Sequence, residues 1–476
     1  MDWQGLSRWV RSHGRHRGLT ARVAPLRPGH AILAALAGTM AALQLNAATH
    51  DVPLLPPGGA LIPVPPGFLW GVATAGHQWE GGDATSNWAA WERAGHVTEQ
   101  PGQAADGWNR YATDMDLAKG MGLNAWRMSI EWSRIEPRRG EIDHAAVAHY
   151  HAMLAAARAR GLTPIVTLLH YAYPAWLDAL APRGESAWET DEAVDRYVDY
   201  VAFVAREFGP DVRYYLTFNE PTVMVEAGYL AGIWPPGKKD LGAFLKASDH
   251  LIKAHSRAYD RIHQADPDAQ VGFNNYAAAY QLSLDPAADA MPAPGDDWFL
   301  KAFANVAIPG HDRAPKLDFI AVDYYKRLTI PTQLIPPSPS QWHVFPAGFD
   351  EVLVRYYRAF HLPILIAENG LATDNGHPRG DGWTREAYIA EHVAQLQRTM
   401  ARGVPVIGYT YWTLTDNYEW GSFNDRFGLY EVECRTGSFT RMPTPAVEVY
   451  KAIVAAGGVT PDLLARYGYK AAGGKH

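Results

Sequence analysis

From Phe68 onward the chain alternates two patterns. Short apolar runs rich in β-branched and aromatic residues are separated by stretches whose apolar positions recur at helical spacing. The runs predict strands at 68–75 (FLWGVATA), 124–130 (NAWRMSI), 163–170 (TPIVTLLH), 214–220 (YYLTFNE), 269–275 (AQVGFNN), 317–325 (LDFIAVDYY), 363–370 (PILIAENG) and 406–414 (VIGYTYWTL). Between them lie amphipathic segments such as 144–161 (HAAVAHYHAMLAAARARG) and 385–403 (REAYIAEHVAQLQRTMARG). The second closes on Arg402-Gly403, as helices tend to end. Eight strands alternating with helices predict an α/β fold, a single (β/α)8 barrel rather than an open sheet.

Within the runs, the apolar part comes first and polar residues gather at the C-terminal end: His170, Asn219 and Glu220, Asn274 and Asn275, Tyr324 and Tyr325, Glu368 and Asn369. In this architecture reactive groups sit at the C-terminal rim, above an apolar interior. The fourth and seventh strands stand on opposite sides of an eight-stranded barrel, so Glu220 and Glu368 are expected to face each other across the mouth. Two facing carboxyls suit cleavage of a glycosidic bond, one protonating the leaving oxygen while the other attacks the anomeric carbon or activates water. A separation of about 5 to 5.5 Å implies retention of configuration, and one of roughly 6.5 to 9.5 Å implies inversion.

An ordered set of motifs extends this reading. FLWGVATAGHQWEGG, RMSIEWSRIEP, TLLHYAYPAWL, TFNEP, QWHVFPAG, IAENG and YTYWTLTDNYEWGSFNDRFGLYEVE occur in that order between about Pro65 and about Ala455. In them the chain resembles the family-one glycoside hydrolases, the β-glucosidase family. The resemblance implies a retaining β-glycosidase with Glu220 as acid/base and Glu368 as nucleophile, held ionised by Arg127 and Tyr325. It further implies that Gln78, His170, Asn219, Glu419 and Trp420 bind glycone hydroxyls, that Trp412 is the floor under the sugar ring, and that Trp342 lines the leaving-group side. A carboxylate at Glu419 would repel a 6-phosphate, so the implied substrates are unphosphorylated β-glucosides, with galactosides or fucosides also accepted. Asn219-Glu220, rather than Asn-Gln, separates the chain from the thioglucosidases of the family.

There are departures. Asp323 stands where the family usually has Asn, either adding negative charge near the nucleophile or pairing with a cation inside the barrel. HYAYP replaces the commoner His-Phe-Asp start, GESAW (184–188) replaces a Gly-Gly-Trp, and the stretch between the fifth and sixth strands is short. A sugar-binding barrel without chemistry is the rival reading, but it would be expected to have lost one of the two glutamates. A glycosyl transferase would use the same pair.

Composition narrows the rest. A net charge of -7 and a pI near 6.2 argue against nucleic acid as a partner. The 19 histidines lack ligand spacing and no Gly-rich dinucleotide motif follows a strand, so neither a catalytic metal nor a cofactor is expected. GIWPPGKK (232–239) nearly fits a phosphate loop, but Lys239 stands where Ser or Thr is needed and Pro235 and Pro236 lack N–H groups. It reads as an exposed loop. The single cysteine, Cys434, reads as a structural thiol. Residues 1–48 combine a basic region with an apolar run from Ala31 to Ala48. That layout suits a secretory signal and hence export, the alternative being a disordered tail on a cytoplasmic protein. The expected organisation is this segment, a Pro/Gly-rich linker (49–64), the barrel domain (65–456) and a C-terminal tail (457–476), acting on a small carbohydrate or glycoside.

Overall fold

The structure, a computed structural model, describes residues 60–282, 316–330, 339–373 and 379–470. All eight expected strands form: β1 (Leu69–Ala73), β2 (Ala125–Ser129), β3 (Thr163–Thr167), β4 (Tyr214–Asn219), β5 (Gln270–Leu282), β6 (Ile320–Ile330), β7 (Ile364–Glu368) and β8 (Val406–Trp412). Each pairs in parallel with the next, and β8 pairs with β1, which closes the barrel. Helices fill the other crossovers, the one from β5 to β6 lying mostly outside the described residues: α1 (Gly107–Gly120), α2 (His144–Ala159), α3 (Asp191–Phe208), α4 (Leu241–Ala265), α5 (Pro346–Phe360), α6 (Arg385–Ala401) and, after β8, α7 (Ala446–Ala455). The side chains of Asp143, Thr190, Asp240 and Thr384 each accept a backbone N–H at the start of α2, α3, α4 and α6, fixing where those helices begin.

Side-chain alternation sorts the core into two layers. Leu69, Ala125, Ile165, Leu216, Phe319, Ala321, Leu365 and Ala367 pack together inside the barrel, while their neighbours Trp126, Met128, Val166, Tyr215, Val322, Ile364 and Ile366 pack outward beneath the helices. The small interior set leaves the upper part of the barrel to polar groups.

The strand boundaries differ from expectation in an informative way. Six strands stop one to three residues early, so His170 and Glu220 leave the ladder, while Asn219 and Glu368 stay in it as the last residues of β4 and β7. The fifth and sixth run longer than 269–275 and 317–325 and stay paired as far as Leu282 and Ile330. The alanine run at 277–279 has poor strand propensity, and pairing with a neighbour overrides it. The phosphate-loop lookalike is corrected too. It is half-buried rather than exposed, because Trp234 packs against Trp88, Tyr171 and Trp420, and Lys238 pairs with Glu189. Cys434 is a free thiol, pushed up to about 12 by burial, which makes it inert.

Residues 457–470 do more than trail from the barrel. Helix α8 (Pro461–Tyr467) follows Val459, whose N–H donates to Gln397 on α6 at 2.7 Å. Tyr469 stacks on Trp383 at 4.1 Å between ring centroids. The 1–48 segment, most of the linker and most of the stretch between β5 and β6 lie outside the described residues. Among the described residues no helix is long and apolar enough to cross a membrane.

The segment entering α7 is fastened by a buried ion pair. Arg441 donates through Nε and Nη2 to both oxygens of Asp114 on α1, at 2.6 and 2.8 Å, and Trp79 adds a third donor at 3.1 Å. Removing one member strands a charge in the interior, so Arg441→Met is expected to cost about 3–5 kcal/mol and to lower the melting temperature. The double variant Asp114→Leu/Arg441→Met should recover most of that loss. Equal melting temperatures for the parent and the single variant would contradict the assignment.

Candidate active site

Two breaks in strand alternation build the mouth of the barrel. On β4, Leu216 faces the interior, but both Thr217 and Phe218 face outward, the first against His255 of α4 and the second against Trp188 and Tyr197. The β4–β5 register slips at the same place, between Leu216 and Asn219. The extra outward residue changes the phase, so Asn219 and then Glu220 turn inward. Glu220 adopts a left-handed backbone, with φ of 39°, an uncommon conformation for a residue with a side chain. On β7, strict alternation would send Glu368 outward with Ile364 and Ile366. The β6–β7 register slips between Val322 and Asp323, opposite that position, and Glu368 reaches the interior.

The expected pair therefore comes together, with a third acid beside it. One carboxyl oxygen from each of Glu220, Asp323 and Glu368 lies within 4.8 Å of the others, and all three residues are buried. Of the two alternatives for Asp323, the structure has the first: it adds an acid beside Glu368. The oxygens are spaced as cation ligands would be, yet Arg127 already supplies positive charge at this point.

Arg127 is fully buried and organises the floor. Its Nη1 donates to Glu368 Oε1 and to the carbonyl of Ala367 at 3.3 Å. Its Nη2 donates to Asn219 Oδ1 at 2.6 Å, and its Nε donates to Thr167 Oγ1 at 3.0 Å. The Tyr325 hydroxyl donates to the other oxygen of Glu368 at 2.6 Å. Asn274 donates to both Asn219 Oδ1 and Asp323 Oδ2. With its carbonyl oxygen engaged, Asn219 has amide N–H groups that meet no acceptor among the described residues.

Glu220 sits in a different environment. The Tyr171 hydroxyl donates to its Oε2. Burial, and then the charge of Glu368, push its carboxyl up to about 8. Asp323 is raised as well, by burial and then by Glu368 and Glu220. Its Oδ1 is buried with no hydrogen-bond partner among the described residues. A hydrogen bond between the Asp323 and Glu220 carboxyls needs a proton on one of them.

The remaining expected residues ring this centre. Gln78 Nε2 and Trp412 Nε1 donate to the two oxygens of Glu419, at 3.0 and 3.2 Å. The rings of Trp412, His170 and Trp420 form a stepped series, His170 lying 5.9 Å from the first and 5.8 Å from the second, nearly parallel to both. Burial, then the charges of Arg127 and His77, hold His170 well below its usual range, so its imidazole is neutral. Gln78 Oε1 and His170 Nδ1 are buried without a partner among the described residues. Trp342 stands 5.3 Å from Tyr325, edge to face, on the other side.

These distances bring every expected site residue to one mouth. The chain matches the model of Glycosyl hydrolase family 1 over residues 62–317 and 311–459. The chain belongs to this family. It is 31% identical to the beta-galactosidase of Pyrococcus woesei, over 84% of this chain and 98% of that protein. Among solved structures, the beta-glycosidase from Pyrococcus horikoshii superposes with a TM-score of 0.74 at 31% identity, covering 86% of this chain and 99% of that one. The beta-glucosidase from Thermotoga maritima in complex with azafagomine gives 0.74 at 26% identity, covering 84% and 100%. The family-one chain is thus a glycoside hydrolase of the β-glycosidase type.

Sequence reasoning missed several members of the site. Tyr171 sits in the HYAYP departure, where a hydroxyl in place of a plain ring was the available signal. His77 is held by Asp83 and Glu92, each at 2.8 Å. Burial opposes its charge, but these two acids raise it to about 10, and the cation lies behind Trp420. Trp234 could be found only from packing.

Tyr171 gives a pH prediction. A hydroxyl donated to Glu220 favours its ionised form. In its expected role as the acid Glu220 must be protonated, and kcat/KM should then fall as pH rises through about 8. Tyr171→Phe removes the donor and should move this alkaline limb up by about one unit. A limb that stays in place or moves down in the pH–rate profile would contradict the contact.

Proposed function

We propose that this family-one enzyme is a retaining β-glycosidase that hydrolyses terminal unphosphorylated β-D-glucosides, and also galactosides or fucosides, by double displacement. The carrying observation is that oxygens of Glu220 and Glu368 lie within 4.8 Å of each other in unlike surroundings. An oxygen–oxygen approach this short belongs with the closer of the two carboxyl spacings, the one that suits direct attack.

The unlike surroundings support a division of roles. Glu368, which accepts from the guanidinium of Arg127 and the hydroxyl of Tyr325, is suited to remain an anion and attack the anomeric carbon. Glu220, pushed up to about 8, carries a proton at neutral pH and gives it to the departing aglycone oxygen. Once the aglycone has left, the same carboxylate takes a proton from water, which attacks the glycosyl–Glu368 ester and releases the sugar with its original configuration.

The glycone rests on the same argument. Trp412 offers an apolar face to the ring. Gln78 Oε1 and His170 Nδ1, buried and without a partner among the described residues, match hydroxyls of a sugar, and the amide of Asn219 suits the 2-hydroxyl. Glu419, with one N–H on each oxygen and its carboxyl raised by burial well above the usual range, keeps lone pairs for the 4- and 6-hydroxyls and offers a 6-phosphate no positive charge. Trp420 completes this wall, and Trp342 borders the aglycone.

Two variants test the roles. Glu368→Ala should abolish release of nitrophenol from 4-nitrophenyl β-glucoside. Glu220→Ala should lower kcat for poor leaving groups about 10²- to 10⁴-fold and, given azide, should yield the β-glycosyl azide. An α-azide, or azide rescue of the first variant only, would reverse the assignment. A folded parent should turn over the β-glucoside and leave its 6-phosphate untouched; turnover of the phosphate would contradict the role of Glu419.

A further inference from the structure

Lys326 follows Tyr325 on β6, and alternation should turn it away from the barrel mouth. The β5–β6 register prevents this: Ala277 pairs with Tyr324 and Ala279 with Arg327, so two steps on β5 oppose three on β6. This bulge lets Tyr325 and Lys326 both face the mouth. Lys326 is only 2% exposed. Its ammonium lies 3.9 Å from the ring centroid of Trp342 and 5.7 Å from that of Tyr276.

Aromatic faces attract a cation but accept no conventional hydrogen bond. Among the described residues, Lys326 has no hydrogen-bond acceptor and no ion pair, so three charged donors are left over beside the wall where the leaving group would sit. The charged groups nearby are occupied elsewhere. Glu368 and Arg127 pair with each other, Arg379 donates to the Trp342 carbonyl and pairs with Asp381, and Arg327 donates to His343. Asp323 is engaged by Asn274. Glu220 is the carboxyl that acts on Lys326 through charge, and it is already committed to Tyr171. A buried ammonium without a counter-anion is costly, and a ligand that brings the anion removes that cost.

Building on the glycosidase reading above, we propose that the leaving-group subsite takes an aglycone bearing a carboxylate, with the Lys326 ammonium as its partner. Burial lowers this amine to about 7, opposed by the charge of Glu220, so the anchor is cationic below neutrality and is lost above it.

The test compares kcat/KM for 3- and 4-carboxyphenyl β-glucosides with that for the matching carbamoylphenyl β-glucosides, which are neutral and similar in shape. The readout is the ratio of acid to amide for each pair, in the parent, Lys326→Met and Lys326→Arg. Any effect of the amine on Glu220 acts on both members of a pair and largely cancels. For at least one isomer the parent ratio should exceed that of Lys326→Met by about ten-fold or more, and Lys326→Arg should keep most of the preference. In the parent alone, the ratio should fall as pH rises through about 7. Equal ratios in parent and Lys326→Met, or a parent ratio flat from about pH 5 to about pH 9, would overturn the inference while hydrolysis of the amides leaves the glycosidase reading standing. No turnover of any of these glycosides by the folded parent would overturn both.

Discussion

A buried guanidinium lies beneath the two catalytic candidates, and three other strands answer to it. Arg127 leaves β2 and reaches Thr167 on β3, Asn219 on β4, and both Ala367 and Glu368 on β7. A buried cation is tolerable only if its donors are filled. Here filling them fixes one oxygen of Glu368 and turns the amide of Asn219 towards the cavity. The same demand that stabilises the charge therefore sets the geometry of the site.

Three carboxyls around one guanidinium also explain why the two glutamates differ. Arg127 and Tyr325 attend to Glu368, while Glu220 and Asp323 are left in a dry space, close to each other and to a third acid. Like charges so near cannot all be ionised, and protons remain on the members with fewer donors. The chemical asymmetry of the pair is thus a consequence of where one arginine points.

Much of this was legible in the sequence. Polar residues at the ends of apolar runs marked the rim, and the ordered motifs around Glu220 and Glu368 marked the pair. Strand alternation, taken strictly, would have aimed Glu368 and Lys326 the wrong way. What re-aims them are register slips at Val322/Asp323 and Ala277/Ala279, which depend on how two strands meet and leave no mark in either strand alone. Tyr171 and Trp234 were obscured for a related reason: their partners, Glu220 and Trp420, are distant in sequence, and only packing joins them. The length of β5 was hidden because its alanines gain their strand conformation from β6.

The central claim is that the two carboxyls act by direct attack and return. It is tested most directly by proton NMR of the sugar first released from 4-nitrophenyl β-glucoside, recorded before the anomers equilibrate. The account predicts that the β-anomer accumulates first and the α-anomer grows in only by mutarotation. Initial release of the α-anomer would mean a water, not Glu368, attacks the anomeric carbon, and would contradict it.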